Sequence, residues 1–127
     1  MLLAEDDVAL RETLAMALRA DGHEVVAVED GFDLLGVLES SLDRELGTDK
    51  FDLVISDIRM PGMSGLQVFA QMQHQPRVPP VVFMTAFGDE DVHKEAIRIG
   101  AVAVLNKPFD LDELRGFVGK LLAGKRN

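Results

Sequence analysis

The sequence predicts a single α/β domain, an open parallel sheet covered by helices on both faces. Three observations lead there. Five short apolar runs recur along the 127 residues, and each is followed by a stretch of helical periodicity. The central runs are rich in Val and Ile, the composition of strands buried on both faces. Strict alternation of strand and helix then makes the sheet parallel, because each helix returns the chain to the end where the previous strand began.

Taken in order, strands are expected over residues 2–4, 24–28, 53–56, 81–85 and 102–106. The first helix places Leu10, Leu14, Ala17 and Leu18 on one face, and Asp21-Gly22 ends it. Asp30-Gly31 turns the chain into the second helix. The third begins near Ser64 and stops before Pro76. The fourth turns Val92, Ala96 and Ile99 inward, with Gly100 as its cap. The last opens on Asp110 as N-cap with Glu113 three residues on, a variant capping box. Its inner face carries Leu111, Leu114, Phe117, Val118, Leu121 and Leu122. Residues 40–50 fit least well; they either prolong the second helix or enlarge the loop behind it. No repeat or linker interrupts the pattern, so residues 1–127 read as one domain.

Composition removes several function classes. Hydrophobic residues make up 47% and charged residues 28%, enough apolar material for a packed core. No apolar run could span a bilayer, and the opening MLLAEDD turns acidic too early for a secretory leader. The absence of cysteine excludes disulfides and thiolate metal sites. A cytoplasmic location without membrane contact is expected. A net charge of -9 argues against direct nucleic-acid binding, which needs a basic patch.

In an open parallel sheet, ligands gather beyond the carboxyl ends of the strands, where strand order reverses. Polar residues of one chemistry collect there. The first strand runs into Glu5-Asp6-Asp7, the third into Asp57, the fourth ends in Thr85, and the fifth leads into Lys107-Pro108-Phe109. Two carboxylates about 5 Å apart repel by roughly 3 kcal/mol at an effective dielectric near 20. Such a cluster either raises a pKa or recruits a cation. A single lysine cannot neutralise the group, whereas a hard divalent ion can, and few all-oxygen protein ligands suit magnesium. A carboxylate beside magnesium can take a phosphoryl group as an acyl phosphate. The transferring oxygens would be met by the metal, by Lys107 and by the Thr85 hydroxyl.

Four segments, LLAEDDVALR, DLVISDIRMPGMSG, VVFMTAFGD and GAVAVLNKPFDLDEL, together resemble the receiver domains of bacterial two-component response regulators. The resemblance covers essentially the whole chain. It implies a flavodoxin-like (βα)5 fold with strand order 2-1-3-4-5, and Asp57 as phosphoacceptor for a sensor histidine kinase. It also implies Glu5 and Asp6 as the acidic pair serving Mg2+, with Asp57 and the backbone carbonyl of Arg59 as further ligands. Asp7 is then either a neighbour of that pair or a helix cap. Thr85 becomes the switch hydroxyl and Lys107 the phosphate-binding lysine, with a cis Lys107-Pro108 bond. The output surface implied is the face of the fourth helix, fifth strand and fifth helix, for an output domain, a downstream protein or a homodimer.

The sequence departs from the family at Val104, where an aromatic residue often turns inward on activation. Arg59 and Phe87 occupy the two positions that set acyl-phosphate lifetime in the family. Neither can orient a water as a carboxylate or amide would, which points to slow self-hydrolysis.

Other features carry ordinary explanations. Met16, Met60, Met63, Met72 and Met84 read as core or loop packing, and His23, His74 and His93 as solvated residues without metal-ligand spacing. Gly62 and Gly65 shape the turn after the third strand. There is no Walker loop and no nucleophile elbow. Two rival functions remain. A phosphorylation-independent adaptor would lack the acceptor or the lysine, and both are present. An aspartyl-phosphate phosphatase would carry a second Asp two residues beyond the nucleophile, where this chain has Arg59.

Overall fold

The computed structural model describes residues 1–41, 51–75, 77–86 and 90–123. Strands and helices alternate as β1 (Leu2–Ala4), α1 (Val8–Ala20), β2 (Val26–Val28), α2 (Gly31–Ser41), β3 (Val54–Asp57), α3 (Gly65–Met72), β4 (Val81–Ala86), α4 (Glu90–Arg98), β5 (Ala103–Lys107) and α5 (Leu111–Ala123). The five strands form one sheet in the order β2-β1-β3-β4-β5, with every pairing parallel. This is the flavodoxin-like arrangement. Strand order reverses between β1 and β3, so the crevice for a ligand opens where those two strands end.

Alternation along each strand divides the core in two. Leu3, Ile55, Val82 and Met84 pack with Leu14 and Leu18 of α1 and with Leu114 and Val118 of α5. Leu2, Ala4, Val54 and Phe83 pack on the other side with Leu34 and Leu38 of α2, Val68 and Phe69 of α3, and Ala96 of α4. Each fully buried leucine contributes about 1.5–3 kcal/mol. Phe69 and Phe83 add an edge-to-face contact at 5.6 Å between ring centroids.

The helix ends follow local chemistry. Asp7 caps α1 by accepting a hydrogen bond from the Leu10 N–H at 3.0 Å. At the other end, Gly22 at φ +93° closes the helix through its N–H to the Arg19 carbonyl. Ser64 and Gln67 form a reciprocal capping box at the start of α3. Asp110 caps α5 through the N–H of Asp112 rather than that of Glu113.

Several expectations shift. The second strand is Val26–Val28, shorter than residues 24–28, because β1 offers only three partners to this edge strand. The third and fifth strands extend to Asp57 and Lys107, while Leu53 and Val102 fall outside them. Met72 and Met84 are buried, but Met16 is 70% exposed, two residues from both Leu14 and Leu18 and so turned away from their face. Residues 42–50, Pro76 and Phe87 lie outside the described residues, so the expectations placed on them are not addressed.

Candidate functional site

Beyond β1, Glu5 is fully buried, an unusual place for a carboxylate. Its burial is compensated on every side. Oε1 accepts from Lys107 Nζ at 2.6 Å, and Oε2 accepts from the Asp7 backbone N–H at 3.0 Å. The Arg11 guanidinium donates to the Glu5 carbonyl at 2.9 Å and so braces the acidic loop from the first turns of α1.

Asp57 ends β3 and is also buried. Its Oδ2 accepts from Lys107 Nζ at 2.8 Å, and Oδ1 accepts from the Arg59 N–H at 3.3 Å. The backbone beneath it is fixed as well. The Ser56 hydroxyl donates to the Asp57 carbonyl at 2.9 Å, and the Ile58 N–H reaches the Met84 carbonyl of β4 at 2.9 Å. The turn then runs through Gly62 at φ +80° to Gly65. A Cβ on Gly65 would lie 2.6 Å from the Asp57 carbonyl oxygen, so only glycine lets α3 start this close to the strand end.

Lys107 arrives from β5, followed by a cis peptide bond to Pro108. Its ammonium bridges two carboxylates that lie 52 residues apart in sequence, Glu5 and Asp57. Carboxylate oxygens of Glu5, Asp6 and Asp57 all come within 4.8 Å of one another. With one bridging ammonium, the group keeps an excess of negative charge. Asp6 is the exposed member of the group. Its carboxyl is pushed above the ordinary carboxylate range, by desolvation first and then by the Glu5 carboxyl beside it. For Lys107, desolvation works to lower the pKa, but the hydrogen bonds to Asp57 and Glu5 outweigh it and the net shift is upward. Thr85 is buried one residue beyond Met84, the cross-strand partner of Asp57.

The match to known proteins is decisive. The sequence profile of the response regulator receiver domain fits residues 1–118. This chain belongs to that family. The receiver is 41% identical over 125 residues to the response regulator protein FleR of Pseudomonas aeruginosa, covering 98% of this chain and 25% of FleR. It is 37% identical over 121 residues to PmrA of the same organism, covering 95% of this chain and 51% of PmrA. It therefore spans between a quarter and a half of these relatives' lengths. The receiver domain of NtrX from Brucella abortus superposes with a TM-score of 0.79 at 27% identity, covering 96% of this chain and 97% of that one. Membership makes the receiver a signalling domain and supports a phosphoacceptor role in two-component signalling. No helix among the described residues is long and apolar enough to cross a membrane.

The receiver's fold thus brings Glu5, Asp6, Asp57 and Lys107 into one cluster, with Thr85 on the neighbouring strand end. Val104 lies in β5 and packs, partly buried, against the α2–α4 side of the core. Three contributors escaped sequence reasoning. Ser56 and Arg11 hold backbone carbonyls within the site, a role that neither residue type announces. His93 also hydrogen-bonds Asn106, at an exposed position, through Nε2 and Oδ1 at 2.7 Å. A second acidic group, Glu29, Asp30 and Asp33, surrounds the start of α2, where Asp30 accepts from the Asp33 N–H at 2.8 Å as an ordinary cap.

Proposed function

We propose that this receiver, taken as the whole of residues 1–127, accepts a phosphoryl group on Asp57 from a phosphohistidine of a sensor histidine kinase, in a magnesium-dependent reaction. The observation that carries this reading is the Lys107 ammonium, held at 2.8 Å from Asp57 and 2.6 Å from Glu5 inside a cluster that keeps surplus negative charge. The donor set fits a hard divalent cation. All the side-chain donors are carboxylate oxygens, and the exposed Asp6 gives the ion a route in from solvent. Glu5, Asp6, Asp57 and the Arg59 carbonyl would hold it. Bound there, magnesium would neutralise charge on the phosphoryl oxygens, so that an anionic donor can approach three carboxylates.

The chain's own residues supply the remainder. An Asp57 carboxylate oxygen forms the new bond to phosphorus as the P–N bond to the donor imidazole breaks. The electron pair of that bond stays on the imidazole nitrogen, which takes a proton. Lys107 exchanges its bond to the Asp57 carboxylate for one to a phosphoryl oxygen, and the Thr85 hydroxyl donates to another. The site turns over only its own acyl phosphate, and Arg59 offers no carboxylate or amide to orient an attacking water, so that mixed anhydride is long-lived. Movement of Thr85 and Lys107 then shifts the face formed by α4, β5 and α5, which addresses an output domain, a partner or a second copy.

Incubation with acetyl phosphate and magnesium, followed by intact-mass measurement, tests the reading. One phosphoryl adduct is expected, lost in Asp57→Asn and in chelator. An unmodified wild-type protein would favour an adaptor, and steady turnover of phosphoesters a phosphatase.

A further inference from the structure

Asn106 stands at the junction between the acidic cluster and helix α4. It precedes Lys107 in β5 and is the register partner of Thr85 across the β4–β5 ladder. Side chains alternate along a strand, so Asn106 shares the sheet face of Val104, and Thr85 shares that of Phe83. Val104 and Phe83 both face the core on the α2–α4 side. Thr85 and Asn106 are therefore neighbours on one face, at the strand spacing of about 5 Å. From that position Asn106 Oδ1 meets His93 Nε2 of α4 at 2.7 Å.

The apolar face that α4 turns to the core is thin. Val92, Ala96 and Ile99 turn toward the sheet, yet Ala96 alone among the helix residues is fully buried, and Ile97 is 58% exposed. Apolar packing of this kind is non-directional and tolerates sliding, whereas a hydrogen bond fixes one placement. At Val104 there is no ring to turn, but the polar pair lies two residues further along the same face.

We propose that Asn106 and His93 couple the state of Asp57 to the placement of α4, an inference that rests on the phosphoacceptor reading above. Lys107 follows Asn106 along the chain, and Thr85 is its register partner across the ladder. When both close on a phosphoryl group at Asp57, the ends of β4 and β5 move together, and the hydrogen bond to His93 carries α4 with them. The result is a change in the populations of two existing placements of the helix.

Hydrogen exchange of α4 amides, with and without acetyl phosphate and magnesium, tests the coupling, with intact mass followed in the same samples. In the wild type, exchange across Glu90–Arg98 changes on phosphorylation. His93→Ala and Asn106→Ala still gain the adduct, but the change shrinks about fivefold, the worth of one neutral hydrogen bond. The double variant loses no more than either single one, and His93→Gln, which keeps an N–H donor, restores most of the response. A purely structural role would alter exchange equally in both states and leave their difference intact; that result overturns the coupling, as does a wild-type response in both single variants or an unresponsive α4 in the phosphorylated wild type. A wild type that gains no adduct overturns the phosphoacceptor reading, and the coupling with it.

Discussion

Replacing Lys107 with methionine probes the electrostatics of the site directly, because the ammonium holds two carboxylates that otherwise face each other. At 2.6 and 2.8 Å, each attraction amounts to about 6 kcal/mol at an effective dielectric of 20. Desolvation offsets most of that, and breaking such a buried pair from one side costs about 3–5 kcal/mol. The Lys107 side chain is 26% exposed, so solvent screens part of the interaction and the expected loss falls to about 2–3 kcal/mol. Urea unfolding in chelator should show it. In the proposed site magnesium would compete with the ammonium for the Glu5 and Asp57 carboxylates, so the variant should bind the ion about tenfold more tightly, a gain of about 1.4 kcal/mol. Added magnesium should then recover much of the lost stability through linkage. Calorimetric titration measures the affinity. Unchanged stability in chelator, or an equal or weaker affinity for magnesium, would refute the account of Lys107 as a resident counter-ion.

Two further substitutions test the scaffold. Gly65→Ala places a methyl group 2.6 Å from the Asp57 carbonyl and 2.9 Å from the Ser56 hydroxyl, and a backbone atom cannot yield cheaply. A loss of about 1–3 kcal/mol in urea is expected, together with slower phosphoryl uptake, because the displaced carbonyl belongs to the acceptor residue. Asp21 at the end of α1 accepts from the Arg115 guanidinium of α5 at 2.8 Å, and this bond holds its carboxyl below the ordinary range. A carboxylate with a depressed folded pKa stabilises the fold above its unfolded pKa of about 3.9 and ceases to do so as pH falls through the folded value. Asp21→Asn should therefore lower the urea midpoint at neutral pH, and the gap from wild type should close in acid. A gap that persists below the folded pKa would contradict this.

Much of this architecture was legible because it rests on local signals. The Val- and Ile-rich runs around Ile55 and Val82 gave the central strands, and the strand-end residues Asp57 and Lys107 could be grouped by the topological rule alone. What escaped depends on tertiary apposition. Nothing around Glu5 says that it is wholly buried and bridged by a lysine 102 residues away. His93 carries no metal spacing, and its bond to Asn106 exists only because α4 lies beside β5. Edge position explains the shortened β2, since a three-residue β1 leaves Glu24 and Val25 without ladder partners. Met16 was misplaced for a simpler reason: helical spacing from Leu14 and Leu18 already turned it outward.

In the proposed reaction one carboxylate, Asp57, takes the phosphoryl group. Borohydride reduces an aspartyl phosphate to homoserine, so reduction after phosphorylation followed by peptide mass mapping identifies the acceptor. Homoserine is expected at position 57 alone, formed with magnesium and absent in chelator. Conversion at Asp6 or another carboxylate, or phosphate retained on a hydroxyl such as Thr85, would contradict it.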